Sequence, residues 1–212
     1  MKFGELQRLF RDQPVFHSGA LLAGQPSPAH VRRQLSRWIE SGKVLSLRRG
    51  VYALAEPYAK SKPHPFVVAN ELRRASYVSL QSALAWHGCI PEFVPVTTSV
   101  TTERPEEAVN PLGRFLFRHI RRDLFRGMRR VEVADGQSAL VAGPEKALID
   151  LLYLTPRSDQ TDYLKELRLE PQNRLEWDRL GELAESTGSA KVMRAVVHLE
   201  PIFADAEWGA PL

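Results

Sequence analysis

The chain has 212 residues, of which 43% are hydrophobic and 25% charged, a composition typical of globular proteins with one large or two small domains. Its one cysteine, Cys89, excludes an internal disulfide and any zinc site built from several cysteines. No apolar run approaches the roughly 20 residues needed to cross a bilayer. The first residues also lack the apolar core of a signal peptide, so we expect a cytoplasmic protein.

The net charge of +4 is unevenly distributed along the chain. Residues 1–60 carry ten basic and four acidic side chains, residues 114–130 carry seven and one, and residues 131–212 carry eight and fifteen. A basic amino-terminal part and a second basic segment indicate that some faces bind a polyanion. The alternative is that these charges form solvated faces without a ligand.

The first 55 residues have the element order of a winged helix-turn-helix. Apolar spacing predicts helices over residues 3–11 and 18–22, and Ser27-Pro28 begins a third helix that Gly42 ends. Residues 44–47 and 51–54 follow as two strands, joined by a tight turn at Arg48-Arg49-Gly50. The apolar stripe of the third helix consists of Val31, Leu35, Trp38 and Ile39.

The third helix and the turn supply the candidate DNA-binding residues. At about 100° per residue, Arg33 and Arg37 point away from the apolar stripe, where a recognition helix meets the major groove. Arginine suits paired contacts with guanine, whereas arginines at a turn suit phosphates or a narrow minor groove. The full candidate set is Ser27, Ala29, His30, Arg32, Arg33, Gln34, Arg37, Lys43, Arg48 and Arg49.

Two alternatives stay open for this part of the chain. The helix could carry a solvated arginine face beside a hairpin whose charges discourage edge pairing. Winged helices also serve in contacts between proteins.

Residues 56–65 contain three prolines and two lysines, which predicts a linker between domains at residues 1–55 and 66–212. The second domain has helices starting near Phe66, Ser79 and Gly143-Pro144, and three more between about residues 161 and 204. Strands are predicted over residues 94–102, 114–120, 128–134 and 139–141. The predicted fold class is therefore α+β: an N-terminal winged helix-turn-helix plus a mixed α/β domain with a small, largely antiparallel sheet.

Seven arginines fall within residues 114–130 and alternate with phenylalanines. If Phe115 and Phe117 face inward on a strand, then Arg114 and Arg118 face outward. This segment is either a second polyanion surface, for operator DNA or RNA, or an exposed strand face paired with the acidic C-terminal helices. Its arginines are Arg114, Arg118, Arg121, Arg122, Arg126, Arg129 and Arg130.

No group of residues indicates an enzyme, a metal or a cofactor. Ser79, Ser82, His87 and Cys89 are close in sequence, but a helix cap, a helix end and buried packing explain them better than nucleophilic catalysis. Gly143-Pro144-Glu145-Lys146 lacks the glycine spacing of a phosphate-binding loop, and no histidine pair has metal-ligand spacing.

Lys146, Asp150 and Tyr153 share one face of the helix that begins at Pro144. This spacing favours a salt bridge beside a tyrosine over a ligand site.

Several stretches resemble the AbiE-type antitoxins (AbiEi) of type IV toxin–antitoxin systems. They are LRRGVYAL at 47–54, YVSLQSALAWHGCIPE at 77–92, VPVTTSVTTERP at 94–105, the strand pair from Phe115 to Val133, and VAGPEKALIDLLYL at 141–154. The resemblance covers most of residues 1–155. It implies a winged helix that binds inverted repeats at its own promoter, and a C-terminal domain that counters a nucleotidyltransferase-like toxin without a tight complex.

The leading hypothesis is therefore a transcriptional autorepressor that is also an antitoxin, with double-stranded DNA and the toxin as its partners. One alternative is a winged-helix repressor whose second domain senses a small molecule, which unexplained buried polar groups in a pocket would favour. Another is a nucleic-acid-processing enzyme, although we find no convincing cluster of carboxylates or histidines.

Overall fold

The computed structural model describes residues 1–22, 27–170 and 175–208. Within these ranges the chain is an α+β protein with two separate sheets, so the predicted fold class is confirmed at this level. None of the described helices is both long enough and apolar enough to cross a membrane.

The amino-terminal part contains three helices and a three-stranded sheet. Its elements are α1 (Phe3–Phe10), β1 (Phe16–His17), α2 (Ser18–Leu22), α3 (Pro28–Glu40), β2 (Val44–Arg48) and β3 (Val51–Leu54). β3 lies between β1 and β2 and is antiparallel to both. The two-residue strand β1 was not predicted, because such a short strand leaves no periodicity in the sequence.

Helix α3 begins and ends where its sequence signals predict, although the side chain of Ser27 makes no capping hydrogen bond. Pro28 occupies the first turn, and Gly42 adopts a φ of +68° just after the helix ends. Val31 and Leu35 are buried, and the Trp38 ring meets the edge of Phe3 on α1 at 5.7 Å between ring centres. Packing therefore holds one face of α3 against its own part of the chain and leaves the other face exposed.

The second part contains a six-stranded sheet with helices on both faces. Its elements are α4 (Pro65–Leu72), β4 (Ser76–Val78), α5 (Leu80–Trp86), β5 (Val96–Thr101), β6 (Glu106–Asn110), β7 (Gly113–His119), β8 (Met128–Ala134), β9 (Gln137–Ala142), α6 (Pro144–Leu154), α7 (Thr161–Glu166), α8 (Trp177–Ser186) and α9 (Ala190–Trp208). The three C-terminal helices lie where apolar spacing predicts them.

The six strands run in the order β6-β7-β5-β4-β9-β8. Three neighbouring pairs are antiparallel, whereas β5–β7 and β4–β9 are parallel. The sheet is therefore mixed and larger than the small, largely antiparallel sheet that was predicted. Strands β4 and β6 were not predicted. Strand β4 has only three residues, and the sequence of β6, Glu-Glu-Ala-Val-Asn, has low strand propensity.

The side chains of strand β7 alternate between the two faces of this sheet. Phe115 and Phe117 are buried on one face, where Arg73 at the end of α4 lies over the Phe117 ring. Arg114 and Arg118 lie on the opposite face, as the alternation predicts. Helix α5 packs on β5 and against α6, and α6 packs against α8 and α9.

Residues 56–65 pack along both parts of the chain instead of running freely between them. The Lys60 backbone N–H donates to the carbonyl of Arg11, and the Gln137 side chain bonds the backbone of both Lys62 and His64. The large apolar core also continues across this boundary and includes Val15, Leu47, Val51 and Ala53 of the amino-terminal part. The domain boundary stays a prediction, but the two parts share a core.

Candidate nucleic-acid interface

The exposed face of α3 carries most of the predicted DNA-binding residues. Arg33 and Arg37 are exposed, in agreement with their predicted direction away from Val31 and Leu35. Ser27, Ala29 and His30 are also exposed at the amino-terminal end of the helix. Because the side chain of Ala29 is small, the backbone of this first turn is accessible to a ligand.

A groove of about 720 Å³ separates α3 from the turn between β2 and β3. Arg32 and Ser36 line its α3 side, and Arg49 and Gly50 line its turn side. Both guanidinium groups are exposed, so the groove has a positive charge on each wall. Sequence reasoning placed Arg32 and Arg49 among the candidates but missed Ser36, which lies one turn after Arg32 on the same side of the helix.

Gly50 holds the turn in the shape that forms this groove. Its φ is +87°, a left-handed conformation that glycine adopts without strain. The Gly50 carbonyl accepts a hydrogen bond of 2.9 Å from the backbone N–H of Ser18 at the start of α2. The turn is therefore fixed to the helical layer, and Arg49 extends from a positioned backbone.

Arg48, which is predicted to contact phosphate at the turn, has partners within the chain. Its guanidinium donates a 2.8 Å hydrogen bond to the carbonyl of Leu72 and lies 3.7 Å from a carboxylate oxygen of Glu106. The side chain therefore joins β2 to the end of α4 and to the edge strand β6. The sequence around the turn does not reveal these contacts, because both acceptors belong to the second part of the chain.

Two other candidates lie in different surroundings from those expected. The Lys43 ammonium is 5.0 Å from the centre of the Phe3 ring, so it makes a cation–π contact beside α1. Gln34 is half-buried, and its side-chain oxygen has no hydrogen-bond partner within the described residues. This oxygen is itself buried, so it does not belong to the exposed face of α3.

One more polar contact joins the amino-terminal part to the second part near Arg48, because His17 lies 2.7 Å from Glu71. Within the second part, Arg73 pairs with both Glu103 and Glu106. Because Glu106 faces both Arg48 and Arg73, one carboxylate connects β2, α4 and β6. These contacts fix the turn between β2 and β3 relative to the six-stranded sheet.

The arginine-rich segment 114–130 does not form one continuous surface. Arg114 pairs with Glu107, and Arg118 donates to the carbonyl of Leu154, on one face of the sheet. Arg121 contacts Asp123 and the carbonyl of Thr187 ahead of α9. The remaining four arginines are exposed along the short 3-10 turn at 122–124 and the edge strand β8: Arg122, Arg126, Arg129 and Arg130.

The residues considered for nucleophilic catalysis have structural partners. Ser79 precedes α5 as predicted, but its hydroxyl donates 2.8 Å to Asp150 instead of capping the helix. Ser82 bonds Thr98 and the carbonyl of Val96, and the His87 ring lies 2.8 Å from the carbonyl of Ala142. Cys89 is buried.

A buried polar cluster connects α6 to strand β4. Lys146 and Asp150 form the predicted salt bridge, and Asp150 also accepts hydrogen bonds from Tyr77 at 2.9 Å and from Ser79. Burial raises the pKa of Asp150, and its contacts with Lys146, Ser79 and Tyr77 act in the opposite direction. The bonded tyrosine is Tyr77 on β4, which donates to the buried carboxylate, and not the predicted neighbour Tyr153.

The described residues contain no group of three or more His, Cys, Asp or Glu side chains arranged to hold a metal ion. A scan against models of known protein families finds no match, and a search of curated proteins finds no similar sequence. The likeness to AbiE-type antitoxins therefore rests on the sequence motifs quoted above.

Proposed function

We propose that the protein binds duplex DNA through a winged helix-turn-helix formed by α1–α3 and β1–β3, and represses its own promoter. The observation that carries this proposal is the pairing of an exposed arginine face on α3 with a groove that has an arginine on each wall. In this arrangement α3 is the recognition helix and the β2–β3 hairpin is the wing.

In the proposed complex the arginines have different tasks. Arg33 and Arg37, on the side of α3 opposite its apolar stripe, contact base edges in the major groove. Arg32 and Arg49 lie on either side of the groove between helix and wing, and there they hold the phosphate backbone of one strand. Contacts to bases give sequence preference, whereas contacts to phosphates give affinity that falls with salt.

The test is DNA binding by the full chain, measured by fluorescence anisotropy on its upstream region and on an unrelated duplex. Arg33→Ala and Arg37→Ala are expected to weaken binding to the upstream region by roughly 1–3 kcal/mol each and to reduce the preference over the unrelated duplex. Arg32→Ala and Arg49→Ala are expected to weaken both duplexes alike and to lower the salt slope by about one each.

Arg8→Ala is the matched control, because Arg8 is an exposed arginine on α1 in the same part of the chain. It is expected to leave the salt slope and sequence preference unchanged. The assignment is wrong if Arg8→Ala weakens binding as much as Arg33→Ala, or if the wild-type chain does not bind DNA at low salt.

We also propose that the protein is the antitoxin of an AbiE-type pair, with a nucleotidyltransferase-like toxin as its functional partner. The resembling motifs at 77–105 and 141–154 support this role, since they lie in the second part of the chain. Full-length protein with Arg33→Ala and Arg37→Ala should then lose promoter repression but still protect cells that express the toxin. If protection disappears in this variant, the assignment of the antitoxin activity to the second part of the chain is wrong.

A further inference from the structure

A cleft of about 540 Å³ opens on the sheet face that carries Arg114 and Arg118. Its floor is formed by β5, β7 and β6, and its walls by α5, α7, the end of α6 and the loop before β5. This volume lies within the range of sites that hold small organic ligands, about 300–1,000 Å³. The cleft is separate from the groove between α3 and the wing, and its lining comes entirely from residues 80–167.

The lining of the cleft is mainly apolar. Leu116 lies on the floor at the centre of β7, opposite Leu151 and Leu154 on α6. The rim carries Phe93, a residue that is 89% exposed. Apolar side chains facing an open space, with a large exposed aromatic ring at its edge, favour a ligand with an apolar body.

Arg118 is one of five charged residues that line this cleft, together with Glu92, Glu107, Arg114 and Glu166. It is half-buried and donates one hydrogen bond of 3.0 Å to the Leu154 carbonyl, although a guanidinium has five donors. Among the described residues it has no carboxylate partner, whereas Arg114 beside it is paired with Glu107 at 2.7 Å. Glu92, also in the lining, lies 3.5 Å from Arg168.

The backbone beside the cleft is also in an unusual conformation. Leu80 lines the cleft with a φ of +58°, in the left-handed region that leucine rarely adopts. The preceding residue fixes this turn, because Ser79 bonds Asp150 through its hydroxyl and Thr98 through its carbonyl. Strained residues held by their surroundings are typical of ligand sites.

We propose that this cleft binds a small amphipathic carboxylate. Its head group pairs with Arg118, and its apolar body lies over Leu116 between α6 and the loop before β5. A planar guanidinium matches a carboxylate through two parallel hydrogen bonds, and a partly buried cation without a counter-charge gains most from such a partner. Because the lining is mainly apolar, a highly charged ligand such as a nucleotide fits less well.

The proposal does not depend on DNA binding, and it can be tested by calorimetric titration of the full chain. The probes are octanoate, 1-octanol, which has the same chain without the charge, and butyrate, which has the charge with a short chain. We expect octanoate to bind about tenfold more tightly than either of the others, because only octanoate uses both Arg118 and the apolar floor.

Two variants and one control make the test specific to the site. Arg118→Gln should bind octanoate and 1-octanol equally, and Leu116→Trp, which fills the floor, should bind neither. Arg122→Gln removes an exposed arginine three residues after His119 at the end of β7 and should bind like wild type. Circular dichroism confirms that each variant is folded, and a folded Leu116→Trp keeps the test decisive if Arg118→Gln unfolds.

The proposal fails if wild-type protein binds octanoate no better than 1-octanol. It also fails if octanoate binds Leu116→Trp as tightly as it binds wild type, because the ligand would then lie elsewhere. Equal loss of octanoate binding in Arg122→Gln and Arg118→Gln would indicate a general charge effect and would equally overturn the proposal.

Discussion

Replacement of Asp150 by alanine tests whether the buried polar cluster is structural. In the folded protein this carboxylate is completely buried and accepts hydrogen bonds from Lys146, Tyr77 and Ser79. Asp150→Ala leaves the Lys146 ammonium, on a residue that is only 5% exposed, without its counter-charge. It also leaves two hydroxyl groups without their acceptor.

The expected cost follows from this geometry. Removing one partner of a buried ion pair destabilises a protein by about 3–5 kcal/mol, because the remaining charge is desolvated and unpaired. In a chain of this size, about 1 kcal/mol corresponds to a shift of roughly 2–4 °C in Tm. We therefore expect Asp150→Ala to lower the Tm by about 6–20 °C in thermal unfolding followed by circular dichroism.

Two further variants make this result interpretable. Asp162→Ala removes an exposed aspartate on α7 and should stay within about 0.5 kcal/mol of wild type. The double variant Lys146→Met/Asp150→Leu should lose less stability than Asp150→Ala, because no unpaired charge remains. A Tm for Asp150→Ala within 2 °C of wild type, on the scale of about 2–4 °C for each kcal/mol, would refute the assignment of this cluster to the core.

Three other outcomes follow from the structure. Arg48→Ala should lower the Tm, because Arg48 bonds Leu72 in the second part, and should leave the salt slope of DNA binding unchanged. A lowered salt slope with an unchanged Tm would instead show that Arg48 contacts phosphate. Gly50→Val should destabilise the protein by about 1–3 kcal/mol in urea unfolding, because a φ of +87° is strained for valine. An unchanged free energy of unfolding would mean that the turn has another shape. Tyr77→Phe should cost about 1–3 kcal/mol in the same assay without changing DNA affinity, because it removes one buried hydrogen bond to Asp150.

Local signals in the sequence predicted several elements of the fold. Gly143-Pro144 marks the start of α6, and the alternation around Phe115 and Phe117 predicts both β7 and its two faces. The exposed direction of Arg33 and Arg37 follows from helical geometry alone. In each case residues close together in the sequence supply the pattern.

Features that depend on distant residues were not predictable in the same way. The sequence places Arg48 at a turn, but its acceptors Leu72 and Glu106 belong to other elements, so the direction of its side chain could not be read from the turn. The cleft likewise combines three strands, three helices and a loop that are spread over residues 80–167. The hydroxyl of Ser79 bonds Asp150 across two elements, which its position before a helix does not reveal.

Two ion pairs, one on each face of the sheet, favour the observed register of strand β6. Consecutive residues of a strand face opposite sides, and Glu106 accordingly meets Arg73 on the α4 side while Glu107 meets Arg114 on the other. A slip of one residue would turn both glutamates to the opposite face of the sheet and leave a glutamate facing only one of the two arginines. Both ion pairs form only in the observed alignment, so they favour it over its neighbours in a strand whose apolar pattern is weak.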